Sequence, residues 1–382
     1  MATTWTIRGL LNPVLSRLLI YGVHPIDVEN AMCAVESKNH LNAKSLERSW
    51  LAEWEQRAAH YAGLAERAEQ DGNLLSAGKF FTLAAQCYYA AFLINPSEKG
   101  EKKRIYLCFA DYYRRSEACQ PSPVTPVEVP IENGVLPGYL YLPTPGQSPP
   151  SNVCAVIFAG LGSCKEEMHM LAQPLVERGV AAFVPDMPGS GEALFVHDVK
   201  CRFHNLEAAF PKILDTLSTR PELQQVTFGS YGLCMGGGYA HHAACADRRY
   251  GFCVTLFMLY ITHQPPGVTP QWMRQGEWYD FQTGGVPADQ FLQEMHGLAE
   301  GALECPYFFI HGKHDNWMPL DSAMAFYDQA QGHKEKLIIE NTPIFSNQQA
   351  VTHTMPVGEQ LHWVKHLAAD WIANRAADLS HQ

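Results

Sequence analysis

The segment Phe228-Gly229-Ser230-Tyr231-Gly232-Leu233-Cys234-Met235-Gly236-Gly237-Gly238 restricts this chain more than any other. An apolar run precedes it and a helix-like stretch, Tyr239–Cys245, follows, so it reads as a strand-to-helix turn of the G-x-C-x-G type. A residue at the tip of so tight a turn takes strained dihedrals, and only glycine two positions before and two after lets the flanking backbones approach. The turn places Cys234 at a helix N-terminus, whose positive end lowers a thiol pKa and offers backbone N–H groups to an oxyanion. A small buried cysteine in a glycine-rich turn would show the same letters. The strand and helix on either side favour a nucleophile.

A nucleophile of this kind needs partners downstream, in the order nucleophile, acid, histidine. Asp315 lies just past the apolar strand Tyr307–His311, within Gly312-Lys313-His314-Asp315-Asn316-Trp317-Met318-Pro319, where an acid can orient a histidine; a helix cap is its plainer role. His353 falls between the last strand, Lys336–Ile339, and the last helix, Gly358–Asn374, and is the expected base, ahead of His362 and His366 inside that helix. The turn Phe158-Ala159-Gly160-Leu161-Gly162-Ser163 follows an apolar strand and supplies a second oxyanion donor, so the N–H of Leu161 is expected to pair with that of Met235. His311 with His314, and His241 with His242, have no third ligand nearby; no metal and no cofactor are expected.

The chain has 382 residues, 47% of them hydrophobic, which suits two or three units or one large α/β domain with an addition. Leu46, Trp50, Trp54, Tyr61, Leu64 and Ala68 recur at helical spacing with a break near Arg57. A second helix carries Phe80, Phe81, Ala84, Cys87, Tyr88, Ala91 and Phe92 before Asn95-Pro96 stops it, and a third runs over Lys102–Arg115. The aromatic residues of these helices are expected to pack helix on helix. After the proline-rich linker Gln120–Pro126 come short strands: Val127–Ile131, Tyr139–Leu142, Val153–Phe158, Ala181–Val184, Val226–Tyr231, Phe252–Phe257, Tyr307–His311 and Lys336–Ile339. Continuous apolar strands separated by helical segments predict a mostly parallel sheet flanked by helices on both faces. The boundaries therefore read as a helical domain over 1–120 and an α/β domain over 121–382. Within the second, Pro143–Pro150 reads as a hairpin loop and 257–302 as an irregular insertion, whose Trp272, Trp278, Tyr279 and Phe281 suggest an apolar or aromatic acyl group.

Charge and cysteine content narrow the partners. The 28 basic residues against 39 acidic ones give a net charge of −11, which argues against nucleic acid or an anionic membrane surface. Apolar runs such as Gly251–Thr262 are shorter than the ~18 residues that span a bilayer. Pro13 and Arg17 interrupt the apolar N-terminal stretch, and no signal peptide is read there. Eleven cysteines, an odd number without a C-x-x-C pair, fit reduced thiols in a cytoplasmic protein, ten of them as small core residues.

Taken together, these motifs resemble the α/β-hydrolase superfamily, in the branch with an N-terminal helical domain. That branch holds FrsA-like esterases, 2,6-dihydroxypseudooxynicotine hydrolases and the fungal yellowish-green pigment hydrolases of melanin synthesis. The helical region is similar through Trp50, Trp54, Ala58–Ala68 and Ala77–Phe92. The family's G-L-x-S-x-K-E-E loop corresponds to Gly160-Leu161-Gly162-Ser163-Cys164-Lys165-Glu166-Glu167, and its D-x-P-G-x-G-E segment to Asp186-Met187-Pro188-Gly189-Ser190-Gly191-Glu192. The elbow, Asp315, and His353 ahead of Ala369-Asp370-Trp371-Ile372 complete the set. The resemblance implies an α/β-hydrolase fold with an N-terminal all-helical cap, a small-molecule acyl substrate of secondary metabolism, and a homodimer. Members cleave esters or carbon–carbon bonds next to ketones. Cys234 stands where the family has serine, as in dienelactone hydrolases and polyhydroxyalkanoate synthases, and this brings in thioester chemistry. The expectation is a hydrolase with a Cys234–His353–Asp315 triad and an acyl-cysteine intermediate. The alternative is an acyltransferase or condensing enzyme with the same triad and an acceptor other than water; a non-catalytic scaffold is a third reading.

Overall fold

The computed structural model describes residues 15–38, 43–94, 100–120, 124–143, 151–160, 162–265, 277–340 and 360–379. The chain forms two compact units, Met1–Pro123 and Val124–Gln382.

The first unit is helical: α1 (15–21), α2 (Pro25–Glu36), α3 (Ala43–Gln70), α4 (Leu74–Phe92) and α5 (Glu101–Ala118). Helix α3 packs on α4, and α4 on α5. Trp50, Trp54, Phe81, Tyr89, Phe92, Tyr106 and Phe109 are buried, and the Trp50 indole donates to the carbonyl of Ala90 at 2.9 Å. The buried face of α3 differs from the expected stripe. It runs Trp50, Trp54, Ala58, Ala62, Ala65, Ala68, while Leu46, Tyr61 and Leu64 are only half-buried. An alanine face lets two helices approach closely but adds little to an apolar periodicity, which is why the pattern looked broken near Arg57. Tyr61 instead turns its hydroxyl to the buried carboxylate of Asp27, 2.8 Å away, which Arg57 also reaches at 3.3 Å. Asn95-Pro96, read as the stop after the second helix, lies outside the described residues; the helix itself ends at Phe92.

The second unit is built on an eight-stranded sheet of order β1-β2-β4-β3-β5-β6-β7-β8. Its strands are β1 (Thr125–Ile131), β2 (Gly134–Tyr141), β3 (Val153–Phe158), β4 (Ala181–Pro185), β5 (Thr227–Leu233), β6 (Tyr250–Leu256), β7 (Tyr307–Gly312) and β8 (Lys334–Ile339). The pairings β1–β2 and β2–β4 are antiparallel, and all those from β4 to β8 are parallel. Strand β3 is buried along its whole length, as a run of six apolar residues covered on both faces must be. The helices of this unit are α6 (His169–Val176), α7 (Gly191–Phe195), α8 (Phe203–Ser218), α9 (Met235–Ala246), α10 (Glu277–Thr283), α11 (Ala288–Met295), α12 (Leu320–Gln329) and α13 (Leu361–Leu379). On α8, Leu206, Phe210, Ile213, Leu214 and Leu217 form the buried stripe.

Three expectations need correction. Pro143–Pro150 is not a hairpin loop: it leads from β2 to β3, and β4 pairs between those two strands; its residues 144–150 lie outside those described. The 257–302 insertion is not irregular throughout, because it contains α10, α11 and short 3-10 turns at Ile261–His263 and His296–Ala299; Trp272 lies outside the described residues. All eleven cysteines are free, yet Cys33 is exposed and Cys108, Cys119, Cys245 and Cys305 are half-buried, so only some of the ten are core residues. Among the described residues no helix is long and apolar enough to cross a membrane.

Candidate active site

The sheet order reverses between β3 and β5: from β3 the chain moves outward to β4, then returns to β5 on the other side. Crevices at the carboxyl ends of strands beside such a reversal are where open α/β sheets bind ligands. Cys234 stands there, between β5 and α9, with φ 58° and ψ −123°. A positive φ is strained for a side-chain-bearing residue, and strain of this kind persists only when the surroundings fix it. The surroundings do so. A Cβ on Gly232 would lie 1.9 Å from the Gly236 carbonyl oxygen, and one on Gly236 would lie 2.0 Å from that of Phe158. The Cys234 amide donates to Leu256 O at 2.9 Å, and its carbonyl accepts from Gly237 N at 2.8 Å and Leu259 N at 2.9 Å.

Cys234 is 9% exposed and stands at the start of α9. The first amides of a helix have no partner within it, which makes the N–H of Met235 a ready oxyanion donor. Gly160, on the turn after β3, lies against the nucleophile: a Cβ there would be 3.7 Å from Cys234 Sγ. Leu161, the expected second donor, lies outside the described residues, as does His353.

Asp315 follows β7, and β7 runs parallel to β5 with β6 between them. Elbow and acid therefore share one edge of the sheet, two strand spacings apart, roughly 10 Å. Asp315 is 4% exposed, and its Oδ1 accepts from Trp317 N at 2.9 Å and Met318 N at 3.0 Å, so it does close the turn before α12. Its Oδ2 lies 3.9 Å from Nε2 of buried His311, and that ring nitrogen is 2.8 Å from the carbonyl oxygen of Met318. His362 is exposed on α13, as expected of a surface residue, and His366 beside it is half-buried.

Composition and spacing assign no role to a second feature of this edge. Lys165 is 1% exposed, and its ammonium lies 2.8 Å from Glu166 Oε1, 2.8 Å from Asp186 Oδ2 and 2.7 Å from Glu192 Oε2. Asp186 also accepts from the backbone amides of Lys165 and Glu192, both at 2.8 Å. Gly191, at φ +45°, makes room for it: a Cβ would fall 2.1 Å from Asp186 Cγ. Burial pushes Lys165 down, but Asp186, Glu166 and the other anions outweigh it and hold the ammonium well above the ordinary lysine range. Burial pushes the Glu166 carboxyl up against the pull of Lys165. The two sequence segments that carried the resemblance, 160–167 and 186–192, are thus the two halves of one buried ionic cluster, which joins the turn after β3 to the turn after β4. A charged triplet, Lys165-Glu166-Glu167, set between Cys164 and Met168 is the one hint of burial in the sequence.

Beside the elbow lies an apolar cavity whose walls include Met235, Tyr239, Leu259, Tyr260, Phe291 and Met295. The turn of the ionic cluster supports it: Gly189 O accepts from Gln282 Nε2 at 3.0 Å, and Cys201 N donates to Gln282 O at 2.9 Å, and both Cys201 and Gln282 are in its wall.

Comparison with a solved structure decides the fold. The 2,6-dihydroxy-pseudo-oxynicotine hydrolase superposes with a TM-score of 0.72 over 94% of this chain and 95% of its own, at 21% identity. The chain has the α/β-hydrolase fold. A second structure, AbyA5, covers 96% of the chain with a TM-score of 0.61 and 16% identity. In sequence, the chain is 24% identical over 301 residues to the 2,6-dihydropseudooxynicotine hydrolase of Paenarthrobacter nicotinovorans, spanning 77% of this chain and 78% of that one. It is 27% identical over 257 residues to the α/β hydrolase xenA of Xenoacremonium sinensis and 25% over 277 residues to the 20-hydroxy-prefusarin hydrolase of Gibberella moniliformis. These matches cover 62% and 69% of this chain, and 59% and 64% of the fungal proteins' own length. No protein-family model matches the chain. Its relatives and structural neighbours are α/β hydrolases. Within that α/β-hydrolase frame, Cys234 occupies the strand-to-helix turn, Asp315 the turn after a neighbouring strand, and residues 341–359, between β8 and α13, carry His353.

Proposed function

We propose that this α/β hydrolase cleaves an ester, a thioester or a ketone-adjacent carbon–carbon bond of a small polyketide-like or aromatic metabolite through an acyl-cysteine intermediate. Cys234 Sγ, as thiolate, attacks the carbonyl carbon, and the oxygen takes the negative charge facing the amides of Met235 and Leu161. Collapse of the tetrahedral adduct breaks the bond to the leaving group, which takes its proton from His353. His353 then accepts a proton from water as it attacks the thioester; the C–S bond breaks, releasing the acid and restoring the thiolate beside protonated His353. Asp315 orients His353. The observation that carries the reading is Cys234 at positive φ on the β5–α9 turn, held there by contacts that only Gly232 and Gly236 permit.

The relatives named above support a small-metabolite substrate, since two of them are named for one. A thioester intermediate also reacts readily with amines and carbanions, so transfer to an acceptor other than water is the second reading, and cysteine in place of serine is what favours keeping it. Residues 1–120 are assigned a cap function in substrate selection and the working unit is taken as a homodimer, which gel filtration of the full chain checks. The function is tested by steady-state turnover of matched ester, thioester and β-diketone substrates by the wild type, Cys234→Ala and His353→Ala, with and without an added amine acceptor. Loss of turnover in both variants is expected. Wild-type rates in Cys234→Ala would refute the assignment, and products formed only with the amine present would favour transfer.

A further inference from the structure

Met235 stands in the wall of the apolar cavity and Cys234 precedes it, so an acyl group whose oxygen faces the Met235 amide has the cavity beside it. The walls are what discriminate. Among the described residues no Asp, Glu, Lys, Arg or His lines the cavity. Its polar side chains are already engaged with the protein: Tyr260 hydroxyl lies 2.9 Å from His241 Nδ1, Tyr279 hydroxyl donates to Val286 O at 2.9 Å, and Thr283 hydroxyl to Tyr279 O at 2.8 Å. Gln282 donates to Gly189 O at 3.0 Å, Thr262 hydroxyl is 3.0 Å from His263 Nδ1, and Tyr239 hydroxyl is 3.9 Å from Cys201 Sγ. Behind Tyr260, the His241 ring is neutral as well. Burial drives the His241 ring down to about 3, so it carries no charge at neutral pH. Arg202 and Glu294, each next in sequence to a wall residue, are paired with each other at 2.6 Å.

Resting on the Cys234 reading above, we propose that this cavity binds a neutral, apolar part of the acyl group carried by Cys234 and rejects acyl groups that bear a charge. A methylene moved from water into such walls gains roughly fourfold in rate or affinity. A carboxylate moved there loses its hydration and, among the described residues, meets no cation in return.

The test uses the 382-residue chain and thioesters of one small thiol carrying acetyl, hexanoyl, decanoyl or adipoyl groups. The rate of adduct formation on Cys234 is followed by intact-protein mass spectrometry, and the adduct is located by peptide mapping. Hexanoyl should react on the order of a hundredfold faster than acetyl. Adipoyl, with its terminal carboxylate, should be at least tenfold slower than hexanoyl. Thr262→Phe, at a half-buried position, should lower the hexanoyl-to-acetyl ratio at least tenfold; Phe291→Ala should raise the decanoyl-to-hexanoyl ratio. Thermal melts establish that each variant is folded, and the wild-type comparison of hexanoyl with adipoyl decides the matter if neither variant folds. Equal rates for those two probes, or variants that alter only the dependence on the leaving thiol, would overturn the inference while leaving Cys234 as nucleophile. Finding neither an adduct on Cys234 nor released acid with any probe would overturn both.

Discussion

Lys165→Met removes the cation that a buried site holds among the described residues and leaves Glu166, Asp186 and Glu192 facing its place from 2.7–2.8 Å away. Lys165, Glu166 and Asp186 are at most 1% exposed and Glu192 is 15% exposed, so solvent screens little of the loss. Removing one partner of a buried ion pair typically costs about 3–5 kcal/mol, because the other charge remains uncompensated. For a unit of this size that corresponds to a fall in melting temperature of roughly 6–20 °C. The pH dependence gives a sharper test. Glu166 has its folded-state carboxyl raised by burial, so it holds its proton more tightly folded than unfolded; that stability is present below the ordinary carboxylate range and is lost as pH rises through the folded value. Lys165, also raised, contributes stability that is fully present below the ordinary lysine range and is lost only as pH rises through its own, higher value. In the methionine variant, protonation is the remaining relief for the carboxylates. The deficit against wild type should therefore be largest near pH 8 and shrink toward pH 5. Melting curves by circular dichroism at several pH values measure it. A deficit under about 2 °C at pH 8, or one that grows on acidification, would refute the reasoning.

Alkylation by iodoacetamide in a Cys33→Ser background should label Cys234 first, because burial pushes Cys201 up to about 11 and Cys154, Cys245 and Cys305 up to about 12; labelling spread evenly over the thiols by peptide mapping would count against an activated Cys234. Asp315→Asn should lower kcat by about two to four orders of magnitude with KM little changed, as when a histidine loses its orienting acid; a change below threefold would remove Asp315 from the triad. His241, neutral in the fold with its ring driven down to about 3 by burial, is protonated only in the unfolded chain as pH drops below about 6.5, so its stabilising contribution is lost on acidification at up to ~1.4 kcal/mol per pH unit. His241→Gln should accordingly show a shallower loss of melting temperature between pH 6.5 and 4.5, and an unchanged slope would contradict the assignment.

What could be read from the sequence was local in its physical cause. The elbow was legible because the demand for glycine at 232 and 236 is set by contacts within the turn and its neighbouring strand end. Strand β3 matches its expected bounds, Val153–Phe158, because a fully buried parallel strand is a plain apolar run. Strand β2 begins at Gly134, not near Tyr139, since Pro137 and the two flanking glycines mask the extended segment; its pairing with β1 and β4 supplies the order that propensity does not. The helices α10 and α11 in the insertion, seven and eight residues long, are too short for periodicity to show them. The ionic cluster was hidden for a different reason: Lys165 and Asp186 are 21 residues apart, and nothing but the adjacency of β3 and β4 brings them together. The same holds for the cavity, whose walls include residues of α9, the segment after β6, α10 and α11.

The central claim is that Cys234 carries the acyl group. It is tested most directly by mixing His353→Ala with hexanoyl thioester, quenching in acid, and mapping the digested protein by mass spectrometry. The account predicts one hexanoyl group per chain on the peptide holding Cys234, persisting because the variant lacks the base that lets water resolve it, and no adduct in the Cys234→Ala, His353→Ala double variant. A hexanoyl group found on another residue, or present equally in the double variant, would contradict it.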